Sequence, residues 1–477
     1  MRRPIVGWHK TDPAPDHEFN HYLNSRHGEL YYEDLNLAEL FQPNTKDQYR
    51  MDSPLEIVYL PMIRKKINTM RTIFDQAVDR VGYSGSFRYA YASKANAAEE
   101  VVRTALETGI DYEMSSWMDV EILKVQIAQG RLKPEQRVLC NGFKYPDSEY
   151  LRNIVEIKHE HDQIVPILED LEELGALIDS RVPFQLGLRQ KCYGSHYSQD
   201  DMNAANSRFG MSVEDIFKAA DRIDAANNLT LSIYHAMVGS QIVDPEDFVE
   251  RLTPPMQVYA QLKQDHPSLG AFDFGGGIPI AMTLDFNFDY QYFAELLLQR
   301  MLEICQAHQV DAPDIIGELG RYTVTEHGAH LFKIVGVKEN NSPYPWYLID
   351  GSIMSSFPDS WALGEHFIVL PLNHLDQPFQ RVRLGGLTCD SDDIYPPTKS
   401  DADLYLPVES DNLHVGFFAI GAYQEMLGGA GGSKHCVIPE ADELIIDRDQ
   451  DGEYLFDIIH GQGPQQVLDN LGYRQRG

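Results

Sequence analysis

The chain has 477 residues, of which 43% are hydrophobic and 23% charged, as is typical of a soluble globular protein with two or three domains. Its 40 Lys and Arg residues against 72 Asp and Glu give a formal net charge of −32, which disfavours nucleic acid and anionic membranes as partners and favours small cations. No apolar run is long enough to span a membrane, and five cysteines without a CxxC pair indicate neither a disulfide framework nor a zinc site, so we expect a cytoplasmic protein.

Residues 1–54 are polar and weakly patterned, apart from an apolar cluster at Leu30–Phe41. Two arginines near the start are not followed by an apolar core, so no signal peptide is predicted. We interpret this stretch as an N-terminal segment that packs onto a β domain formed by the end of the chain.

From about residue 87 to residue 321, short β-rich apolar runs alternate with helix-like stretches. The predicted strands are Arg88–Ala92, Asp111–Ser115, Arg137–Asn141, Val165–Leu168, Pro183–Arg189, Leu229–Gly239, Ala271–Phe274 and Asp314–Glu318. The clearest helices are predicted at Ala97–Thr108, Ser116–Gln129 and Tyr290–His308, of which the first two end at a glycine. Eight successive strand–helix units predict an α/β fold with a closed (β/α)8 barrel at residues 55–325, and a doubly wound open sheet is the alternative.

After about residue 325 the pattern changes to short strands separated by turn residues. These strands are predicted at His330–Val337, Trp346–Ile349, His366–Leu372, Gln380–Leu384, Leu404–Leu406, His414–Ile420, Leu444–Ile446 and Tyr454–Ile459. Residues 326–477 therefore form a predicted all-β domain that follows the barrel.

Three segments carry residues suited to chemistry at the carboxyl ends of barrel strands, where such barrels hold their active sites. Lys94 follows the first strand, Gly275–Gly277 follow the seventh, and Glu318 ends the eighth just before Gly320 and Arg321. Glycines after a strand let backbone N–H groups approach an anion closely. A lysine and a phosphate cradle at one barrel mouth favour a phosphate-bearing cofactor held as a Schiff base, with Glu318 at its pyridine nitrogen. Taken singly, Lys94 also fits a solvated loop residue, and Glu318 also fits an ion pair with Arg321.

These segments resemble the alanine-racemase-fold (fold type III) decarboxylases that use pyridoxal 5'-phosphate. The resemblance covers about residues 50–475 and rests on the Lys94 segment, Gly275–Gly277, Glu318–Arg321, Thr388–Asp392 and Gly421–Tyr423. Within this family, the segments Cys140–Lys144, Ser207–Gly210, Ser356–Trp361 and Gly421–Leu427 are most similar to biosynthetic arginine decarboxylase.

The resemblance implies a role for each matching residue. Lys94 would bind the cofactor covalently, Glu318 would keep the pyridine nitrogen protonated, and Cys389 would return a proton to the substrate from the partner subunit of a homodimer. Asp350 and Asp390 would contact the distal cation of the substrate. The implied phosphate contacts are Gly276, Gly277, Gly320, Arg321 and Tyr423. No metal ligand is assigned.

One position departs from the family pattern. The family's stacking histidine lies two residues before a Gly-Ser pair, and here the matching residue is Met237. His235 lies two residues earlier, on the same face of the predicted strand. Either His235 moves onto the cofactor ring through a bulge, or Met237 packs there instead.

The resemblance predicts a decarboxylase that converts L-arginine to agmatine and CO2 in polyamine biosynthesis. Other substrates of the same fold remain open, namely diaminopimelate, ornithine or a carboxylated polyamine such as carboxynorspermidine, and a racemase is disfavoured by the cysteine motif. From another class, a non-catalytic relative that regulates an active paralogue is also open because of Met237, although Lys94, Glu318 and Cys389 argue against it.

Overall fold

The structure is a computed structural model, and it describes residues 3–42, 51–192, 207–339 and 343–473. The chain divides into two compact units. The β unit comprises Met1–Met62, Ala281–Phe286 and Val324–Gly477, and the barrel unit comprises Ile63–Ile280 and Asn287–Thr323. This division differs from a border at residue 54, because strand Leu55–Tyr59 pairs with strands of the β unit.

The N-terminal segment contains a small antiparallel sheet that the sequence analysis does not predict. Its strands are β1 (His17–Glu18), β2 (Leu23–Arg26), β3 (Glu29–Tyr32) and β4 (Leu35–Asn36), and β5 (Leu55–Tyr59) follows in a different sheet. Strands of two to four residues give too little alternation to be recognised from sequence. Trp8, Tyr22 and Leu30 are buried in the same core as Leu331 and Leu370, so this segment belongs to the β unit.

The middle of the chain forms a closed parallel barrel, as predicted. Its strands are β6 (Phe87–Ala92), β7 (Asp111–Met114), β8 (Val138–Cys140), β9 (Ile164–Leu168), β10 (Phe184–Arg189), β11 (Leu229–His235), β12 (Ala271–Asp273) and β13 (Asp314–Glu318). β13 pairs with β6 and closes the barrel, which excludes an open sheet. These strands read as continuous apolar runs because helices cover their outer faces, while Leu139, Ile167 and Ile316 fill the interior.

Helices alternate with the barrel strands. They are α1 (Leu60–Val81), α2 (Glu99–Glu107), α3 (Trp117–Ala128), α4 (Glu149–Ile157), α5 (Leu171–Ser180), α6 (Val213–Asp224), α7 (Pro245–Asp265), α8 (Tyr290–His308) and α9 (Gly320–Val324). The Ser116 side chain accepts a hydrogen bond from the Asp119 amide and so caps α3, as its position in the sequence predicts. None of the helices in the described ranges is both long and apolar enough to cross a membrane.

The predicted sixth barrel strand is too long by four residues. β11 ends at His235 rather than Gly239, although the Ala236 amide still donates to Asp273 O at 2.8 Å. The chain then turns away through Gly239, whose φ of +149° favours glycine. Met237 therefore lies beyond the strand, and the expectation that it shares a strand face with His235 is wrong.

The β unit contains all eight strands predicted for the C-terminal region. With one unpredicted strand, β18, they are β14 (Gly328–Lys338), β15 (Trp346–Ile349), β16 (Ile368–Pro371), β17 (Phe379–Gly385), β18 (Ile394–Tyr395), β19 (Leu404–Pro407), β20 (His414–Phe418), β21 (Asp442–Arg448) and β22 (Tyr454–Ile459). The short helices are α10 (Ile353–Ser356), α11 (Pro358–Leu363), α12 (Gln424–Gly428) and α13 (Pro464–Asn470). β14 pairs with β5, β15 and β20, which makes it the central strand of the sheet.

Candidate active site

Lys94 lies at the barrel mouth, in a single 3-10 turn, Ser93–Ala95, that follows β6. Its Nζ is 3.5 Å from Glu113 Oε2 on β7. Because 48% of the Lys94 side chain is exposed while that of Glu113 is fully buried, the lysine reaches from the open mouth toward a buried carboxylate. Parallel barrel strands bring all their carboxyl ends to this one mouth.

Asn141, directly after β8, joins two buried carboxylates that belong to two other strands. Its Nδ2 donates to Glu113 Oε1 at 2.8 Å and to Glu318 Oε1 at 2.7 Å. Lys94, Glu113, Asn141 and Glu318 thus form one continuous series of polar contacts that links four strands. We call these four residues the mouth network.

A second polar cluster adjoins the mouth network at Glu318. His235 Nδ1 lies 3.3 Å from Asp273 Oδ2 and 4.0 Å from Glu318 Oε1, and all three side chains are buried. Burial raises the pKa of both carboxyl groups and lowers the pKa of His235 to about 4, so the imidazole is neutral at pH 7. Within the described residues, these three form the one group of three potential metal ligands whose atoms lie within 4.8 Å of one another.

The glycines that follow β12 and β13 leave no room for side chains. A Cβ at Gly276 would lie 2.9 Å from Glu318 O, and one at Gly320 would lie 2.6 Å from Ala92 O. Gly277 has a φ of +96°, and a Cβ there would overlap Gly239 O. At these positions the backbone after both strands therefore carries no side chains, as a backbone anion-binding site at the barrel mouth requires.

Met237 and His235 both lie against this glycine loop. A Cβ at Gly275 would be 2.9 Å from Met237 Sδ and 3.3 Å from His235 Cε1. Met237 therefore lies beside the cradle although it is outside β11. His235 Nδ1 lies against the buried acids Asp273 and Glu318, and Met237 has the sequence position of the expected stacking histidine.

The fifth strand adds a buried ion pair to the mouth. Arg189 donates to Glu169 Oε1 at 2.6 Å, and the other oxygen of Glu169 accepts from the Gly210 amide at 2.7 Å. The Arg189 guanidinium also lies 4.7 Å from the Phe209 ring centroid. These contacts place the Ser207–Gly210 motif at the barrel mouth.

Arg321 lies in α9 of the barrel unit, and the remaining predicted site residues lie in the β unit. Cys389 is exposed, so it is not a buried structural thiol. The loop that carries it is tied down by buried Asp393, whose Oδ2 accepts from Thr388 N at 3.0 Å and from Thr388 Oγ1 at 2.7 Å. Asp390 Oδ2 lies 3.6 Å from His435 Nε2.

Asp350 and Tyr423 are held differently within the same unit. Asp350 Oδ1 accepts from the Lys333 amide at 2.9 Å, and burial raises the pKa of this carboxyl group. Tyr423 has a φ of +69°, which is uncommon for a residue other than glycine and is often found at functional sites. It follows Gly421, where a Cβ would overlap Val324 O.

Glu113, Asn141, Asp273 and Asp393 are not among the site residues predicted from sequence, although Asn141 lies in the Cys140–Lys144 segment. The first three are single polar residues at the ends of buried apolar strands, and Asp393 is buried behind a loop. A fully buried acid or amide in a barrel strand is a usable signal once the strand's burial is known, because such groups are rarely buried without a partner.

A family model described as "Pyridoxal-dependent decarboxylase, pyridoxal binding domain" matches residues 62–325 of the chain. The chain belongs to the pyridoxal-dependent decarboxylase family. It is 21% identical to the biosynthetic arginine decarboxylase of Shewanella denitrificans over 85% of this chain and 83% of that protein. It is 23% identical to the arginine decarboxylase of Solanum lycopersicum over 79% of this chain and 95% of that protein.

Solved structures of this decarboxylase family share the fold. The biosynthetic arginine decarboxylase of Campylobacter jejuni matches with a TM-score of 0.81 and 22% identity, over 95% of this chain and 91% of that chain. The diaminopimelate decarboxylase of M. jannaschii, solved with L-lysine, matches with a TM-score of 0.76 and 18% identity, over 95% and 98%.

The barrel mouth fits pyridoxal phosphate, the cofactor of this decarboxylase family. Among the described residues, Glu113 Oε2, His235 Nδ1 and Asp273 Oδ2 are buried without a hydrogen-bond partner. Buried carboxyl groups with raised pKa favour a cation beside them, such as a protonated pyridine nitrogen. The bare glycine backbone after β12 and β13 suits a phosphate at the same mouth.

Proposed function

We propose that this decarboxylase acts on a basic amino acid, converting L-arginine to agmatine and CO2. The observation that carries the proposal is the mouth network, which joins an accessible lysine to buried Glu318 through Glu113 and Asn141. Arginine is favoured because the relatives named above include arginine decarboxylases from bacteria and a plant.

Each residue has a defined task in this proposal. Pyridoxal phosphate, when bound, supplies an electron sink for the charge left as CO2 departs. Lys94 binds it covalently, and Glu318 holds a proton at the pyridine nitrogen. Cys389 donates the proton that replaces the carboxylate on the substrate. The phosphate is held by Gly276, Gly277, Gly320, Arg321 and Tyr423.

The mouth network also has a task before substrate arrives. Glu113 holds Lys94 Nζ at 3.5 Å and thereby limits the positions open to the amine. Asn141 donates to both carboxylates, so it fixes Glu318 relative to Glu113. His235 and Asp273 support Glu318 from its other side, and Met237 packs beside the glycine cradle.

We further propose a cytoplasmic homodimer that serves polyamine biosynthesis, with each site shared between subunits. Cys389 is exposed in the single chain, as a residue that completes a partner's site would be. Mixing inactive Lys94→Ala and Cys389→Ala proteins should restore part of the activity, because one hybrid site contains both native residues. If verified subunit exchange restores none, the shared site is wrong.

The substrate proposal rests on acids that suit a guanidinium. A carboxylate binds guanidinium through two parallel hydrogen bonds, and Asp350 and Asp390 are the proposed acids. CO2 release should be measured with arginine, lysine, ornithine and diaminopimelate under matched conditions. Arginine should have the highest kcat/KM, and faster turnover of diaminopimelate or ornithine would overturn the substrate while leaving the family assignment intact.

A non-catalytic regulatory role is the second candidate, and Met237 is the observation that favours it. The purified protein, reconstituted with pyridoxal phosphate and desalted, separates the two. An active decarboxylase retains visible cofactor absorbance and releases CO2. A regulatory relative would release none from any of the four amino acids.

A further inference from the structure

Two exposed cysteines lie next to each other in the β unit. Cys389 Sγ and Cys436 Sγ are 3.9 Å apart, although the residues are far apart in the chain. Both are free thiols, and both are exposed. Cys140 and Cys305, in contrast, are buried.

A histidine and an acid adjoin this pair. His435 Nε2 lies 3.5 Å from Cys436 Sγ, and Asp390 Oδ2 lies 3.6 Å from His435 Nε2. An imidazole at this distance can take the thiol proton and so provide the thiolate, which is the reactive form of cysteine. Asp390 lies against the same ring nitrogen, and its negative charge stabilises the imidazolium that results.

We infer that Cys389 and Cys436 form a reversible intramolecular disulfide when the protein meets a peroxide. The two sulfurs must approach from 3.9 Å to a covalent bond length, a shift within reach of side-chain rotation. Cys436 has a φ of +52° and Val437 a φ of +59°, so this loop holds two non-glycine residues in the left-handed region, as is often found at functional sites.

The oxidation balances with hydrogen peroxide as the oxidant. His435 takes the Cys436 proton, the thiolate sulfur attacks a peroxide oxygen, and the O–O bond breaks to leave a sulfenic acid. The hydroxide that departs takes the proton from His435 and becomes water. Cys389 sulfur then attacks the sulfenic sulfur, the S–S bond forms, the S–O bond breaks, and a second water leaves. Two thiols lose two electrons, and one peroxide is reduced to two waters.

The consequence for activity depends on the proposed function. In the proposed function, the Cys389 thiol donates a proton to the substrate. A Cys389 sulfur held in a disulfide has no such proton to donate. Oxidation would therefore stop turnover, and reduction by a small thiol would restore it. Because the bond closes to a neighbouring thiol, it also protects Cys389 from irreversible oxidation.

The test treats the full-length, reduced protein with hydrogen peroxide, blocks remaining thiols and measures intact and peptide masses. The wild type should lose the mass of two hydrogens and yield a linked peptide pair containing Cys389 and Cys436. Dithiothreitol should reverse the link and restore the lost decarboxylase activity. Cys305→Ser, which removes a buried thiol, is the matched control and should still form the link.

Cys436→Ser separates the disulfide from other oxidation. This variant should keep its basal activity, form no link and lose activity to peroxide without recovery in dithiothreitol. The proposal is overturned if wild-type Cys389 is oxidised to the sulfinic acid without any link to Cys436. The mass readout needs no turnover, so a linked protein that never releases CO2 supports the disulfide and refutes the proposed function.

Discussion

The candidate site residues of the barrel unit and those of the β unit differ in burial and in the contacts that hold them. In the barrel unit, Glu113, Asn141 and Glu318 are buried and bound to one another on the ends of rigid strands. In the β unit, Cys389 and Asp390 lie on a loop that is anchored by Asp393 but open to solvent.

This difference shows which set is complete by itself. The barrel residues already have their geometry fixed by hydrogen bonds, so they form a preorganised site for a cofactor. The loop residues have an anchored backbone and remain partly exposed although they lie beside Cys436 and His435, which suits groups that act on a site supplied by another subunit.

Replacing the accessible lysine should have the largest effect. Lys94→Ala removes the amine that binds the cofactor, so turnover should fall by about 10³-fold or more and visible cofactor absorbance should be lost on desalting. Steady-state CO2 release and an absorbance spectrum measure both effects. Lys218→Ala, on the exposed face of α6, should change neither. Covalent cofactor on another lysine after borohydride reduction would refute the assignment of Lys94.

Removing the charge of Asp390 should have the second-largest effect. Loss of one partner of a charged pair in a closed pocket costs about 2–5 kcal/mol, so Asp390→Asn should lower kcat/KM for arginine by roughly 30-fold or more. Cofactor absorbance should stay unchanged. Asp392→Asn changes an exposed neighbouring acid and should have little effect. Equal losses in both variants would argue for a general electrostatic effect instead of a contact.

Removing the bridge of the mouth network should lower stability. Asn141→Ala leaves Glu113 Oε1 and Glu318 Oε1 without their donor, and an unsatisfied buried group costs about 1–3 kcal/mol. We therefore expect a lower Tm of the cofactor-free protein in scanning calorimetry. The loss should be smaller in Asn141→Ala/Glu113→Gln, because a neutral amide at position 113 removes one of the two buried carboxylates that Asn141→Ala leaves without a donor. An unchanged Tm in Asn141→Ala would show that the bridge is not structural.

The two units should also differ in how their stability depends on pH. Burial lowers the pKa of His327 to about 4 and that of His330 to about 3, both in the β unit. In the unfolded chain these histidines have a pKa near 6.5. The free energy of unfolding is therefore unaffected above that pH, and on acidification it falls by about 1.4 kcal/mol per pH unit for each histidine. In the barrel unit, burial raises the pKa of Asp273 to about 7, so the folded protein keeps a proton that the unfolded chain releases near pH 4. The contribution of Asp273 to the free energy of unfolding is therefore lost as the pH rises from about 4 to 7.

Hydrogen exchange, corrected for the intrinsic rate at each pH, measures this contrast. Peptides from Gly328–Lys338 should lose protection between pH 7 and pH 5, and His330→Phe should reduce that loss. Barrel strand Ala271–Asp273 should show the opposite trend in the cofactor-free protein. Parallel changes in both units would mean that they open together.

The barrel could be predicted from sequence because its strands are largely apolar and two of its predicted helices, Ala97–Thr108 and Ser116–Gln129, end before a glycine. Tyr290–His308 and Asp314–Glu318 match the prediction to the residue. The small N-terminal sheet is not predictable, because its strands have only two to four residues. The predicted sixth barrel strand is too long, because apolar residues continue past His235. An apolar run indicates that a segment is buried, but it does not indicate the residue at which strand pairing ends.

The candidate site was predictable only where a motif has several spaced residues. Lys94 and the glycine loops could be placed because strand ends meet at one mouth. Asn141 lies in the Cys140–Lys144 segment, but its contacts with Glu113 and Glu318 could not be predicted, because a single amide after an apolar run carries no spacing. The approach of Cys436 to Cys389 depends on the folded loops of the β unit, and nothing in the sequence between them indicates it.

The discontinuous β unit has a consequence for synthesis. Strand β5 is made early, yet its partners are β14, where Gly328 pairs with Val58, and β21, where Asp442 pairs with Leu55. A nascent chain therefore carries an unpaired strand edge until β21 has left the ribosome, while the barrel sequence is complete well before. Such late, long-range pairing is slow and exposes an aggregation-prone edge. The yield of folded protein should thus depend on how well that edge is shielded during translation.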